Sequence, residues 1–119
     1  MRGGALWPYG ERYLQIPKYF FEDSEYKNLS VHAKLLYGIL FDRKRLSLRN
    51  GWFDEHGNIF IYYGVSSVAE VLNCGREKAI KTLRELENVN LVTRVRKGRG
   101  KQDMLYVNSF VPTDLKIKL

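Results

Sequence analysis

The sequence predicts an α+β domain of the winged helix-turn-helix type, with an additional N-terminal strand and an additional β-hairpin. Two segments whose apolar residues recur at helical spacing flank a tight turn at residues 73–75. Two β-prone segments follow them, separated by a glycine-containing basic loop at residues 97–103. Two helices joined by a tight turn and followed by a β-hairpin form the element order of a helix-turn-helix with a wing.

The N-terminal half of the chain is predicted to contain a strand, a long helix and a hairpin. Tyr13–Ile16 reads as a short strand, which Pro17 restricts to a sheet edge or a strand end. Ser30 is a suitable N-cap for a helix from residue 31 to residue 46 or 48, because apolar residues recur there at helical spacing. β-prone residues on both sides of turn-forming residues predict a hairpin within residues 52–63.

The C-terminal half is predicted to contain the helix-turn-helix and the wing. Gly64 or Ser66 is the expected cap of a short helix at residues 68–72. A second helix is expected from Arg76 to about Glu87. Its shared apolar face consists of Ala79, Ile80, Leu83 and Leu86. The strands of the wing are expected at residues 91–96 and 104–107.

Composition indicates one soluble domain. The chain has 119 residues, of which 45% are hydrophobic. We expect residues 13–111 to form a winged-helix DNA-binding domain, residues 1–12 to be a flexible N-terminal segment, and residues 112–119 to be a tail or the start of a linker. The single cysteine, Cys74, cannot form an internal disulfide, and no apolar run approaches the ~20 residues that span a bilayer. We therefore expect a cytoplasmic protein that does not associate with membranes.

Positive charge is concentrated in one part of the chain. Nine basic and three acidic residues lie between Arg76 and Lys101, which accounts for +6 of the net charge of +7. Such a concentration produces a local positive field that attracts polyanions. A solvated basic surface is the alternative explanation when charge is considered alone.

The position of these charges favours duplex DNA as the polyanion. The major groove of B-DNA is about 12 Å wide and admits one α-helix, so the second helix of the pair can enter it. On this helix the expected DNA contacts are Arg76, Lys78, Lys81, Thr82 and Arg84. The wing is expected to hold phosphates without reading sequence. Its expected contacts are Arg94, Arg96, Lys97, Arg99 and Lys101.

Other chemistry has little support in the sequence. His32 and His56 have no cysteine or acid at metal-ligand spacing, so no metal site is expected. The run Asp54–His56 is better explained as a polar turn than as an acid-base site. The chain lacks a nucleotide-binding P-loop and the paired-histidine motif that a nicking initiator needs. We therefore expect no cofactor and no enzymatic activity.

Aromatic residues raise two further possibilities. Strand aromatics can stack on bases, but most such residues lie in a core, and we expect a core position for most of Trp52, Tyr62, Tyr63 and Tyr106. The N-terminal region is also rich in large apolar residues, which either pack on the long helix or form a homodimer interface. These residues are Trp7, Tyr9, Tyr13, Ile16, Tyr19, Phe20 and Phe21.

A series of short segments from about Tyr13 to Phe110 resembles one known family in its order and spacing. The segments include Tyr13–Lys18, Tyr26–Ser30, Ala33–Tyr37, Asn50–Trp52, Asp54–Gly57, Ala69–Cys74 and Leu83–Leu86. The resemblance is to the N-terminal domain of RepA-type plasmid replication initiators, the RepA_N family. It implies a winged-helix domain that binds repeated duplex DNA sites at a replication origin. It also implies that host replication proteins bind a separate C-terminal domain, which is absent here.

Two rival functions share part of this description. A winged-helix transcription regulator has the same fold and the same basic surfaces, so the fold alone does not separate it from an initiator. A winged-helix protein-interaction module is less consistent with the sequence, because it would not concentrate its charge on the second helix and the wing.

Overall fold

A computed structural model describes residues 13–109 of the chain as a mixed domain of helices and one small antiparallel sheet. The helices are α1 (Tyr19–Glu22), α2 (Val31–Asn50), α3 (Val65–Leu72) and α4 (Arg76–Asn88). The strands are β1 (Ile61–Tyr62), β2 (Val92–Val95) and β3 (Met104–Val107), in the spatial order β1–β3–β2. The α+β class predicted from the sequence is confirmed. Within the described residues, no helix is long and apolar enough to cross a membrane.

The predicted N-terminal strand is wrong. Residues 14–17 form no strand and lie instead along α2. A Cβ atom built on Gly38 would stand 3.1 Å from Cγ1 of Ile16 and 3.2 Å from the carbonyl oxygen of Gln15. The missing side chain of Gly38 therefore lets this segment approach the helix, where Ile16 packs against the core.

Helix α2 has a signal at each end. The Ser30 hydroxyl accepts a hydrogen bond from the Ala33 amide at 3.1 Å, as expected of an N-cap. The helix ends at Asn50, beyond the predicted end, because Gly51 adopts the left-handed conformation (φ 73°) that commonly terminates helices.

The cap of α2 is completed by a residue from another helix. In a capping box, the residue three positions after the cap accepts a hydrogen bond from the amide of the cap residue. Ala33 occupies that position here and cannot do so. Glu85 of α4 replaces it, accepting from the Ser30 amide at 2.8 Å and from the Ser30 hydroxyl at 2.7 Å. These bonds join the C-terminal half of α4 to the start of α2.

The predicted hairpin at residues 52–63 forms only in part. It is reduced to one isolated bridge between Phe53 and Ile59 and a turn at Asp54, whose carboxylate accepts hydrogen bonds from the backbone amides of His56 and Asn58. The expected second strand pairs elsewhere: Ile61 and Tyr62 of β1 align with Leu105 and Met104 of β3. Pairing with a strand from the far end of the chain replaces most of the local hairpin.

The second half of the chain follows its prediction closely. Helix α3 begins at Val65 after the N-cap Gly64, so Ser66 lies inside the helix. Asn73 ends α3 in the left-handed conformation (φ 53°), and residues 73–75 form the predicted turn before α4. Strand β2 is shorter than predicted, and β3 has the predicted bounds.

The core lies between α2, α4 and the inner face of the sheet. Leu36, Leu40, Leu83, Leu86 and Leu105 are all fully buried. Tyr37 belongs to the same core, and its hydroxyl donates to the Asn108 carbonyl at 2.6 Å. Burial raises the pKa of Tyr37 to about 12, so this hydroxyl remains a donor at any physiological pH.

Candidate nucleic-acid interface

Helix α4 buries one face and exposes the other. Ala79, Leu83 and Leu86 have no exposed surface, and this face packs on α2 and β2. The basic residues predicted on the outer face lie there, and all four are exposed: Arg76, Lys78, Lys81 and Arg84. One face of the helix therefore fixes its position while the other presents positive charge.

Thr82, which was predicted to contact DNA from the outer face of α4, is buried instead. Its residue surface is only 1% exposed, and its hydroxyl donates to the Lys78 carbonyl at 2.7 Å. The spacing explains this: residues 79, 82, 83 and 86 follow the i, i+3, i+4, i+7 pattern of a single buried stripe. The helix backbone satisfies the hydroxyl, so the stripe tolerates a threonine. The spacing in the sequence already contained this signal.

Arg94, which was predicted to contact DNA from the wing, also has a buried side chain. Its side chain is only 5% exposed and makes ion pairs with Glu87 of α4 (3.3 Å) and with Asp103, just before β3 (3.5 Å). Alternation along β2 correctly places Arg94 opposite Val95, but the side it occupies is the inner one, which it shares with buried Val92. Arg94 therefore links the last turn of α4 to the β2–β3 hairpin, and its charge is paired with two carboxylates.

The loop between β2 and β3 carries the remaining predicted wing residues. Arg96, Lys97, Arg99 and Lys101 are all exposed. Gly98 (φ 102°) and Gly100 (φ 77°) adopt left-handed conformations that other residues rarely adopt. These conformations reverse the direction of the chain between the antiparallel strands β2 and β3. No acidic residue lies between Arg96 and Gln102. The loop is a projecting segment with charge of one sign.

A groove connects this loop with the two helices of the turn. It encloses about 480 Å³ and has one wall formed by residues 64–67, at the start of α3. Arg76, Arg94, Arg96 and Lys101 line the other side. The first backbone amides of a helix have no intrahelical acceptor, and no side chain caps α3. The acid in the groove, Asp103, is engaged by Arg94. The groove is therefore electropositive and suited to an anion.

The acidic turn at residues 54–58 is organised by hydrogen bonds to the Asp54 carboxylate. Hydrogen bonds from the Asn58 and His56 amides and from the Tyr106 hydroxyl keep the pKa of Asp54 below its usual value. The ionised carboxylate holds the turn together. Within residues 13–109, no cluster of three or more histidine, cysteine, aspartate or glutamate residues is arranged to hold a metal ion.

The four strand aromatics divide between core and surface. Tyr63 is 5% exposed and belongs to the core, as expected. Trp52 and Tyr62 are 46% and 49% exposed, so the expectation of a core position is wrong for them. Tyr106 is intermediate, with its hydroxyl donating to Asp54 at 2.9 Å. Tyr62 is exposed because it points away from the helices at the edge strand β1.

Comparison with known proteins identifies relatives. The family model for the N-terminus of replication initiator protein A (RepA) matches residues 12–117. A "41 kDa protein" of Lactobacillus helveticus is 27% identical over 113 residues, which are 88% of this chain and 32% of that protein. The chain thus spans about a third of the length of this curated relative.

Solved structures resemble the chain more strongly. They are described as "N-Terminal domain of DNA binding protein", "Structure of Rep-DNA complex" and "Structure of MDR initiator". Each is 42% identical to this chain and matches 92% of it with a TM-score of 0.76. The match covers 86% of the first of those chains and 87% of the other two.

Proposed function

The chain belongs to the family of replication initiator protein A (RepA) N-terminal domains, and from that membership we propose that it is the duplex-DNA-binding part of a plasmid replication initiator. The observation that carries the proposal is that Arg76, at the start of the exposed basic face of α4, lines one electropositive groove together with Arg96 and Lys101 of the 96–101 loop. The 42% identity to a chain in a Rep-DNA complex supports it.

We interpret the elements around this groove as a winged helix-turn-helix. In this interpretation, α3, the turn at residues 73–75 and α4 form the helix-turn-helix, and the β2–β3 hairpin forms the wing. The outer face of α4 enters the major groove, where Arg76, Lys78, Lys81 and Arg84 meet base edges and nearby phosphates. The loop lies along the sugar-phosphate backbone, where Arg96, Lys97, Arg99 and Lys101 position the domain on any sequence.

The buried residues Thr82 and Arg94 have no direct contact with DNA in this proposal. Thr82 belongs to the packed stripe of α4. Arg94 is occupied by Glu87 and Asp103 and maintains the position of the wing relative to α4. The domain acts by binding, without a cofactor and without chemistry of its own.

The wider organisation is also a proposal. Residues 13–111 are the DNA-binding domain, and residues 112–119 lead toward a further domain, consistent with the greater length of the curated relative. Host replication proteins bind that further domain. Two copies of the domain bind as a homodimer, because repeated sites are held more tightly by linked domains than by separate ones.

Selection of bound sequences from random duplex DNA tests the proposed function. We expect enrichment of one short motif, with directly repeated copies in the origin of a plasmid that encodes the protein. A Lys78→Ala, Lys81→Ala double variant should enrich the motif poorly, while Lys18→Ala, which removes an exposed lysine far from α4 in sequence, should enrich it normally. Enrichment of a single unrepeated site in a promoter, or of no motif, would contradict the initiator assignment.

A further inference from the structure

The outer face of the sheet is apolar and partly exposed. Side chains alternate along each strand, so Ile61, Val92 and Leu105 point into the core while their neighbours point outward. The outward residues are Tyr62, Thr93, Val95, Met104 and Tyr106. Tyr62 is 49% exposed and Val95 is 39% exposed. This surface is distinct from the outer face of α4.

Aromatic rings on this face are held in fixed positions. The Phe60 and Tyr62 rings meet edge to face, with centroids 5.3 Å apart and planes at 83°. The Phe60 ring also meets the Tyr106 ring at 6.5 Å, and the Tyr106 hydroxyl is anchored on Asp54. Neighbouring rings therefore restrain Tyr62, although half of its surface remains open.

The exposed aromatic end of the face adjoins the basic loop. Tyr62, Met104 and Val95 are paired across the three strands and form the row that immediately precedes the loop. The loop contributes four basic residues and no acidic residue between Arg96 and Gln102. The ionised carboxylate of Asp54 lies at Tyr106, two residues further along β3 from the loop than Met104. Charge therefore favours an anionic partner at the Tyr62 end of the face.

We propose that this face binds single-stranded DNA, with a base stacked on the Tyr62 ring and the adjacent phosphates on the 96–101 loop. An exposed aromatic ring beside a basic segment is the arrangement that binds unpaired strands, because every base has a face that stacks. Bases in a duplex are stacked on one another and cannot use this ring. A second copy of the chain is a poorer fit, since a symmetric interface here would bring two positively charged loops together.

Binding of a fluorescent oligothymidine to the complete 119-residue chain tests the proposal. The unmodified chain should bind, and Tyr62→Ala should weaken binding about 5- to 150-fold, the range for losing one stacked base. Tyr62→Phe retains the ring and should bind normally. Val31→Ala removes a side chain that is 73% exposed elsewhere and should also bind normally. All four proteins should bind duplex DNA within about twofold of one another, since Tyr62 lies outside the duplex-binding surface.

Three outcomes would overturn the proposal. The first is binding of the unmodified chain to duplex but not to oligothymidine, which would leave the duplex-binding function standing. The second is an equal loss of affinity in Tyr62→Ala and Tyr62→Phe, which would exclude stacking. The third is self-association in sedimentation that Tyr62→Ala abolishes, which would make the face a protein interface.

Discussion

Arg94 and Arg96 lie two residues apart, yet their surroundings give them different roles. The Arg94 side chain is enclosed between Glu87 and Asp103, whereas Arg96 is exposed at the start of the basic loop. A guanidinium already paired with two carboxylates displaces no counterion when DNA binds. An exposed guanidinium that meets a phosphate does displace one, so the salt dependence of binding distinguishes the two residues.

Replacing each arginine by glutamine tests this distinction. If about five side chains meet phosphates, log K for duplex should fall against log salt with a slope near −4 to −5. Arg96→Gln should make that slope less negative by about 0.9, while Arg94→Gln should weaken binding without changing the slope. Arg94→Gln should also destabilise folding by about 1.5–3 kcal/mol, the usual worth of hydrogen bonds to charged groups, and Arg96→Gln should not. Titrations at several salt concentrations and thermal unfolding measure both effects. A less negative slope for Arg94→Gln would mean that the Arg94 guanidinium of the unmodified chain reaches DNA.

Helix α4 and the 96–101 loop are expected to contribute to binding in different ways. The helix is held rigidly, since its inner face is packed and Glu85 joins it to the cap of α2. A rigid helix can present side chains to base edges with the fixed geometry that discrimination requires. The loop is anchored at its base by Arg94 and Asp103, and its projecting residues are suited to phosphates, which look alike in every sequence.

Alanine substitutions in the two elements should therefore separate specificity from affinity. Lys78→Ala and Lys81→Ala should reduce discrimination between the selected duplex and a scrambled duplex by about 1–3 kcal/mol. Arg99→Ala and Lys101→Ala should weaken binding to both duplexes alike. Fluorescence anisotropy on the two duplexes measures this, with Lys18→Ala as the control for loss of a distant charge. Equal losses on both duplexes for the α4 variants would contradict a base-reading role.

At the scale of the whole molecule, the N-terminal aromatic region divides between packing and exposure. Phe20 is fully buried and meets the Tyr37 ring at 5.0 Å, so part of this region packs on α2. Tyr13 and Phe21 are 56% and 58% exposed. Trp7 and Tyr9 lie outside the described residues. Tyr13 and Phe21 are therefore the members that we predict to contact a second copy.

We predict that the domain dimerises through these exposed residues. Sedimentation at about tens of micromolar protein should show a dimer, whose stability depends on protein concentration. A Tyr13→Ser, Phe21→Ser double variant should remain monomeric and folded, because both side chains are largely exposed. Tyr62→Ser is the matched control and should still dimerise. A chain that stays monomeric with and without DNA would remove the dimer and leave the duplex-binding function in place.

Local signals in the sequence determined most of the elements. The spacing of Ala79, Leu83 and Leu86 specified the buried face of α4, Ser30 marked the start of α2, and glycines marked the turns of the basic loop. These predictions succeeded because caps, turns and helical periodicity depend on residues within a few positions of one another. The four exposed basic residues of α4 followed from the same periodicity.

Only the tertiary structure decided which surfaces are covered. Alternation along β2 shows that Val92 and Arg94 share a side, but it does not say that this side meets α4. The pairing of Glu85 with Ser30, 55 positions away, and the seating of Ile16 beside Gly38 likewise depend on contacts between distant parts of the chain. A pattern states which residues lie together, whereas burial depends on what folds against them, and that is why Arg94 proved internal and Tyr62 external.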